Sequence, residues 1–235
     1  MLNLQTCSAS DVYDWSRSFY LQHVATKTSF EETSQKIVKA VFESFRQADA
    51  SPQFALVRIF RLVEDESLPA DLLQYADPEH KPYVALMGTY GVETEWQNRQ
   101  LSKTHKLMSL GPERSPMMQA VYEQIGLDHK NPPSKEATPD QMLQQFSDGI
   151  LAYFYVPKAA DSPYVPGHDF VTKYGIHSVV GIGYPFLSGA FYFLLAFSRS
   201  EITRQSATAF AEITAPFSTL LALQENQPLW VSSQS

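Results

Sequence analysis

Between Trp96 and His105 the chain places Trp96, Asn98, Arg99, Ser102 and His105 within ten residues. An aromatic plane, a guanidinium that holds an anion through two hydrogen bonds, a hydroxyl and an imidazole that titrates near neutrality are thus neighbours. These side chains suit recognition of an anionic or strongly hydrogen-bonding small molecule. With Arg99 orienting an anionic substrate, His105 has the chemistry for proton transfer in a small enzyme. A plainer assignment of the same residues packs Trp96 on a sheet edge, pairs Arg99 with Glu93 or Glu95, and leaves His105 as a locally satisfied strand residue.

Further candidates lie in the stretch 157–175, where Tyr164, His168 and Tyr174 join the ligand-binding set. This stretch carries Pro157, Pro163, Pro166 and Gly167 and reads as too polar and too broken to be a helix. An ordered loop of that length usually serves a function, and its expected role is to cover a pocket. His168 and His177 with His105 have no metal-ligand spacing, and no metal site is expected. No cofactor is specified. The chain has no P-loop, HExxH or GxSxG pattern, and its single cysteine, Cys7, has no adjacent histidine, so no catalytic residue is assigned.

The elements that must position these groups follow from periodicity. Ser10 and Asp11 open a helix over about 11–24. Ser29 with Glu32 forms a capping box for a second helix, whose stripe Ile37, Ala40, Val41 and Phe45 runs to about Asp49. FALVRIFRLV (54–63) and KPYVALMGTY (81–90) read as strands, with one or two helical turns from Ser67 between them. A polar excursion then leads to a short strand at 106–110. A helix over 115–126, an exposed insertion at 128–140 and a brief helix at 141–146 come next. Strands at 149–156, 176–183 and 190–198 follow, the last two joined as a hairpin across Tyr184–Gly189. Ser200–Leu223 is expected to be one amphipathic helix kinked near Ala215 by Pro216.

The composition excludes several classes. Hydrophobic residues make up 44% and aromatic residues 13% of 235, enough for a core. A net charge of −7 with no long basic run disfavours nucleic acid. No apolar stretch reaches the roughly 18 residues of a membrane span. One cysteine fits a reducing compartment, hence the cytoplasm. Trp15, Phe19, Phe42, Phe45, Phe210 and Phe217 make more aromatic surface than a single sheet face readily covers, which predicts a homodimer through the terminal helices.

Two passages also resemble a known family. SPYVPGHDFVTKYGIHSVVGIG with a strand ending in FSR, and ALMGTYGVETEWQNRQLSKTHKLMSL upstream, are similar to the GAF-related sensory region of bacterial signalling histidine kinases, over about residues 50–223. Arg99 and His105 match positions of that pattern. The resemblance implies an α+β, GAF-like fold: a central antiparallel sheet of about six strands, terminal helices on one face, connecting helices and loops on the other. It implies one domain over 1–235, with core 29–223, an N-terminal helix in 1–28 and a tail at 224–235. The implied role is non-enzymatic sensing of a small molecule or cofactor between the sheet and the 157–175 loop. No kinase core follows Leu223, so output falls to a separate protein such as a kinase, or to a larger regulator of which this chain is part.

Overall fold

A computed structural model describes residues 1–79, 83–109, 117, 124, 153–165, 167–186 and 188–231. The helix expected at 115–126, the insertion at 128–140 and the helix at 141–146 lie outside this set, apart from the single positions 117 and 124. So do the first residues of the strand expected from 149.

Two helices come first, α1 (Ala9–His23) and α2 (Phe30–Ser44). The cap of α1 is Ser8 rather than Ser10. Ser8 has Asp11 three residues on, so the backbone N–H of Ser8 donates to Asp11 and that of Asp11 to Ser8; Ser10 has Tyr13 there, which cannot reciprocate. Ser29 caps α2, accepting from the N–H of Glu32 at 3.1 Å, but among the described residues the return bond from the Ser29 N–H to the Glu32 side chain that would complete the expected capping box is not formed. This helix ends at Ser44, short of Asp49, because the chain turns extended to pair Arg46 with Leu2 and Pro52.

Six strands follow: β1 (Phe54–Val63), β2 (Tyr83–Gly91), β3 (Leu107–Ser109), β4 (Tyr153–Val156), β5 (Ser178–Pro185) and β6 (Phe191–Ser198). They form one antiparallel sheet in the order β3-β2-β1-β6-β5-β4, so β1 and β6 are central. From Leu56 onward β1 alternates cleanly between two apolar faces. Val57, Ile59 and Val63 enter the core beneath the helices, whereas Leu56 and Phe60 enter the core of the other face. Being buried on both sides, β1 tolerates its two arginines only in defined sites. Arg61 points to the helical side, where it stacks on Phe30 and pairs with Glu225 at 2.7 Å. Arg58 points to the opposite side.

The remaining helices are α3 (Ala70–Leu73), α4 (His168–Tyr174), α5 (Arg204–Ala211) and α6 (Thr214–Ala222). The terminal helices α1, α2, α5 and α6 share one face of the sheet, as expected. The short α3 joins them through Leu72, where a connecting helix was expected on the other face. Two further expectations are corrected. The stretch 157–175 contains a helix: HDFVTKY is bracketed by Gly167 and Gly175, both left-handed, and sends Val171 into the second core. The C-terminal helix is two helices, broken at Glu212–Ile213, which places Pro216 in the first turn of α6 where its missing N–H costs nothing.

The aromatic residues expected at a dimer interface are spent inside the chain. Phe45, Phe210 and Phe217 are fully buried, and Trp15 meets both Phe45 and Phe217 edge-on at 5.3 and 5.8 Å. Among the described residues no helix is long and apolar enough to cross a membrane.

Candidate functional site

On the sheet face away from the terminal helices lies a cavity of about 360 Å³. Leu56 and Phe60 of β1 and Leu195 and Phe197 of β6 form its floor. Val165, Gly167 and Phe170 close one side, so the 157–175 segment does flank a pocket. Trp96, Thr104, His105 and Met108 close another.

The excursion between β2 and β3 turns inward because both of its ends are held. Gly91 lets it begin: a methyl group there would sit 2.8 Å from the Trp96 ring and 2.7 Å from the carbonyl oxygen of Ala55. A 3₁₀ turn over Thr94–Trp96 then lays the indole against Phe170 and Tyr174, at 5.9 and 4.6 Å between centroids. From α2, the Gln35 side chain donates to the carbonyls of Thr89 and Gln97, both at 2.9 Å. His105 ends the excursion in the left-handed region at φ 59°, a conformation uncommon outside glycine and asparagine.

At the centre of the floor stands Arg58, 5% exposed. Its Nη1 donates to Nδ1 of His105 at 3.2 Å and its Nη2 lies 3.5 Å from Ser102 Oγ. Among the described residues its Nε has no hydrogen-bond partner. Among the described residues no carboxylate reaches ion-pair distance of it; Glu95, whose charge acts on it, is paired with Lys103 at 2.7 Å. Burial pulls the Arg58 pKa down to about 10, with Glu95 offsetting part of the effect, so the side chain stays charged at neutral pH. Because a guanidinium has no acceptor, His105 Nδ1 must accept and its proton resides on Nε2. Burial first, then the adjacent Arg58 charge, lowers the His105 pKa and keeps the ring neutral.

Arg99, expected to face this cavity beside His105, does not line it. It too is buried, at 4% exposure, but its charge is answered within the chain. Nε and Nη2 donate to the two oxygens of Glu31 at 2.8 and 3.3 Å, and Nη1 donates to Asp71 at 2.8 Å. Trp230 stacks on the guanidinium at 5.0 Å, with its indole N–H donating to Ser67 O. Burial works against the charge, but the two carboxylates outweigh it and raise the Arg99 pKa. Its partners are therefore Glu31 and Asp71, not Glu93 or Glu95. The enzyme alternative, which needed Arg99 and His105 on one substrate, has no matching geometry.

Of the other candidates, Trp96 and His105 line the cavity. Ser102 stands behind it, donating to Thr104 O at 3.0 Å and lying near Arg58. Tyr174 backs Trp96 without reaching the space. Tyr164 is 40% exposed and His168 is exposed at the start of α4, so neither belongs to the lining. Among the described residues no three His, Cys, Asp or Glu side chains converge as metal ligands. Arg58 is the functional candidate missed in the sequence. A charged residue at mid-strand with apolar neighbours on both sides was the signal for it.

No protein-family model matches the chain, and no curated protein does. Among solved structures it is similar to the GAF domain of a phosphoenolpyruvate-protein phosphotransferase from Coxiella burnetii, at 10% identity and TM-score 0.47, over 92% of this chain and 95% of that one. It is also similar to the phycocyanobilin-bound GAF domain from a cyanobacterial phytochrome (10% identity, TM-score 0.44, 93% and 96% covered). A phycoerythrobilin-bound GAF domain from a cyanobacterial phytochrome is a third (11% identity, TM-score 0.41, 93% and 97% covered). Each of the three is a GAF domain.

Proposed function

We propose that this chain is a small-molecule-binding sensory domain, with its ligand held between the sheet and the 157–175 segment. The observation that carries this reading is the cavity itself: about 360 Å³, walled by apolar and aromatic side chains around one convergent polar group, Arg58 with His105. That volume and lining are typical of small-molecule sites, which span roughly 300–1,000 Å³. Sensing, rather than storage, is favoured by the floor. β1 and β6 carry the cavity on one face and the terminal helices on the other, so a ligand that shifts either strand acts on both cores. The reading extends to bacterial signalling, as the resemblance implies, in the reducing compartment that the single cysteine fits, with a separate protein such as a kinase receiving the output.

Native mass spectrometry of the purified chain, before and after mixing with a neutral aromatic probe such as naphthalene, tests the binding claim. One bound molecule per chain is expected, and Leu195→Trp, which fills the cavity, should prevent it while the protein still melts cooperatively. No adduct under any condition, or an adduct unaffected by Leu195→Trp, would count against the cavity as the site.

A further inference from the structure

Resting on that reading of the cavity, we propose that its ligand is an amphipathic monoanion: one carboxylate or comparable acid group paired with Arg58, on an aromatic or branched apolar body that fills the remaining space.

The assignment starts from the two buried arginines, which the fold treats differently. Arg99 donates three hydrogen bonds to two carboxylates, two of them at 2.8 Å and one at 3.3 Å. Arg58 is as deeply buried and has none. Its Nη1 is committed to neutral His105, and what remains is the edge formed by Nε and Nη2. The first of these is unpartnered, and the second has only a 3.5 Å contact to Ser102. That edge has the spacing of the two oxygens of a carboxylate, to which a guanidinium donates side-on through parallel N–H···O bonds. A buried charge lacking its counter-ion is costly, so a molecule supplying the counter-ion gains more here than in water.

The same surroundings favour such an acid over other ligand classes. A cation would meet Arg58 with like charge. A neutral apolar molecule would leave the Nε–Nη2 edge empty. A nucleotide or other polyanion needs several donors for its phosphates and base edges. Among the described residues the lining offers one guanidinium, Thr104 and His105, and is otherwise made of side chains such as Phe60, Trp96 and Leu195.

Matched pairs of acids and isosteric amides test the charge requirement. Naphthylacetate against naphthylacetamide, and octanoate against octanamide, would be titrated into the full chain by calorimetry at pH 7.5. An acid is expected to bind about tenfold or more tightly than its amide, the range for a hydrogen bond to a charged group. Arg58→Met should remove that preference while retaining amide binding. Arg58→Lys, which keeps the charge and loses the two-donor edge, should retain part of it. Circular dichroism would establish that each variant is folded, and the wild-type comparison decides even where one is not. Amides binding as tightly as acids, or an acid preference that survives Arg58→Met, would overturn the anion assignment and leave the cavity reading standing. Binding of neither acids nor amides would overturn both.

Discussion

Arg58 and His105 meet through a bond from Nη1 to Nδ1 at 3.2 Å, a cation donating to an imidazole that must stay neutral to accept it. One side chain comes from the middle of the central strand and the other from a left-handed residue 47 positions later. The imidazole answers one donor of the guanidinium and none of its charge.

The two arginines should therefore respond oppositely to the same substitution. Arg58→Met removes a buried cation that has no carboxylate, and the ligand-free protein should be unchanged or stabilised. Arg99→Met strands Glu31 in the interior and should cost about 3–5 kcal/mol. Urea denaturation of both variants measures this, and equal losses would show that Arg58 has an internal partner after all.

His105 should make stability depend on pH. Its pKa in the folded chain lies below the ordinary 6.5, so above that value both states are neutral and the full stability is present. As pH falls from about 6.5 toward the folded value, the unfolded chain binds a proton that the folded one does not, and stability declines. His105→Asn, whose side chain tolerates φ 59°, should flatten this decline. Melting temperatures of both proteins between about pH 8 and 5 provide the comparison.

Gly91→Ala should damage the cavity and the fold together. The added methyl group meets the Ala55 carbonyl, which is backbone, and the ring of Trp96, a side chain that lines the cavity. A loss of about 1–3 kcal/mol is expected from the overpacking. Weaker uptake of an aromatic probe should accompany it, read by tryptophan fluorescence.

The tail should prove structural. The carbonyls of Pro228 and Leu229 accept the N–H groups of Phe30 and Glu31 in the first turn of α2, and Trp230 lies on Arg99. Trp230→Ala is expected to destabilise by about 2 kcal/mol, below the roughly 3–5 kcal/mol of a fully buried tryptophan because this ring is only half-buried. Trp230→Phe, which keeps a ring over Arg99, should recover part of it. Thermal unfolding of the three proteins checks the order.

Occupancy of the cavity should slow hydrogen exchange in α4, because Phe170 and Gly167 would gain a ligand to pack against. Exchange in α1, on the opposite face, serves as the internal reference. An unchanged α4 in the presence of a bound probe would separate the 157–175 segment from the site.

The sheet was legible because its evidence is local. FALVRIFRLV and FYFLLAFS declare strands by composition, and the short connection at 184–189 declares that the second pairs with the strand just before it. The site was less legible because its evidence is distant. Arg99 stands beside Glu93 and Glu95 in sequence but is answered from 68 and 28 residues away, and no local pattern records that. Arg58 was readable in principle, since the alternation that buries Leu56 and Phe60 must bury it too. Attention to clustered polar residues passed over a solitary one. In 157–175 the density of proline and glycine concealed α4, because the two glycines that look like breakers are its caps.

The separation of the two guanidiniums also bears on how relatives of this chain would diverge. Glu31, Asp71 and Arg99 form a closed circuit of charge, and losing any one penalises the other two. They should be kept or replaced as a set, whatever the protein senses. Arg58 answers to the ligand instead, so it and the residue at 105 should persist in lineages that share a ligand and change together where the ligand differs. An alignment of such relatives, sorted by those two positions alone, would group them by what they bind rather than by descent. Arg58 varying at random against the residue at 105 would show that no ligand holds them.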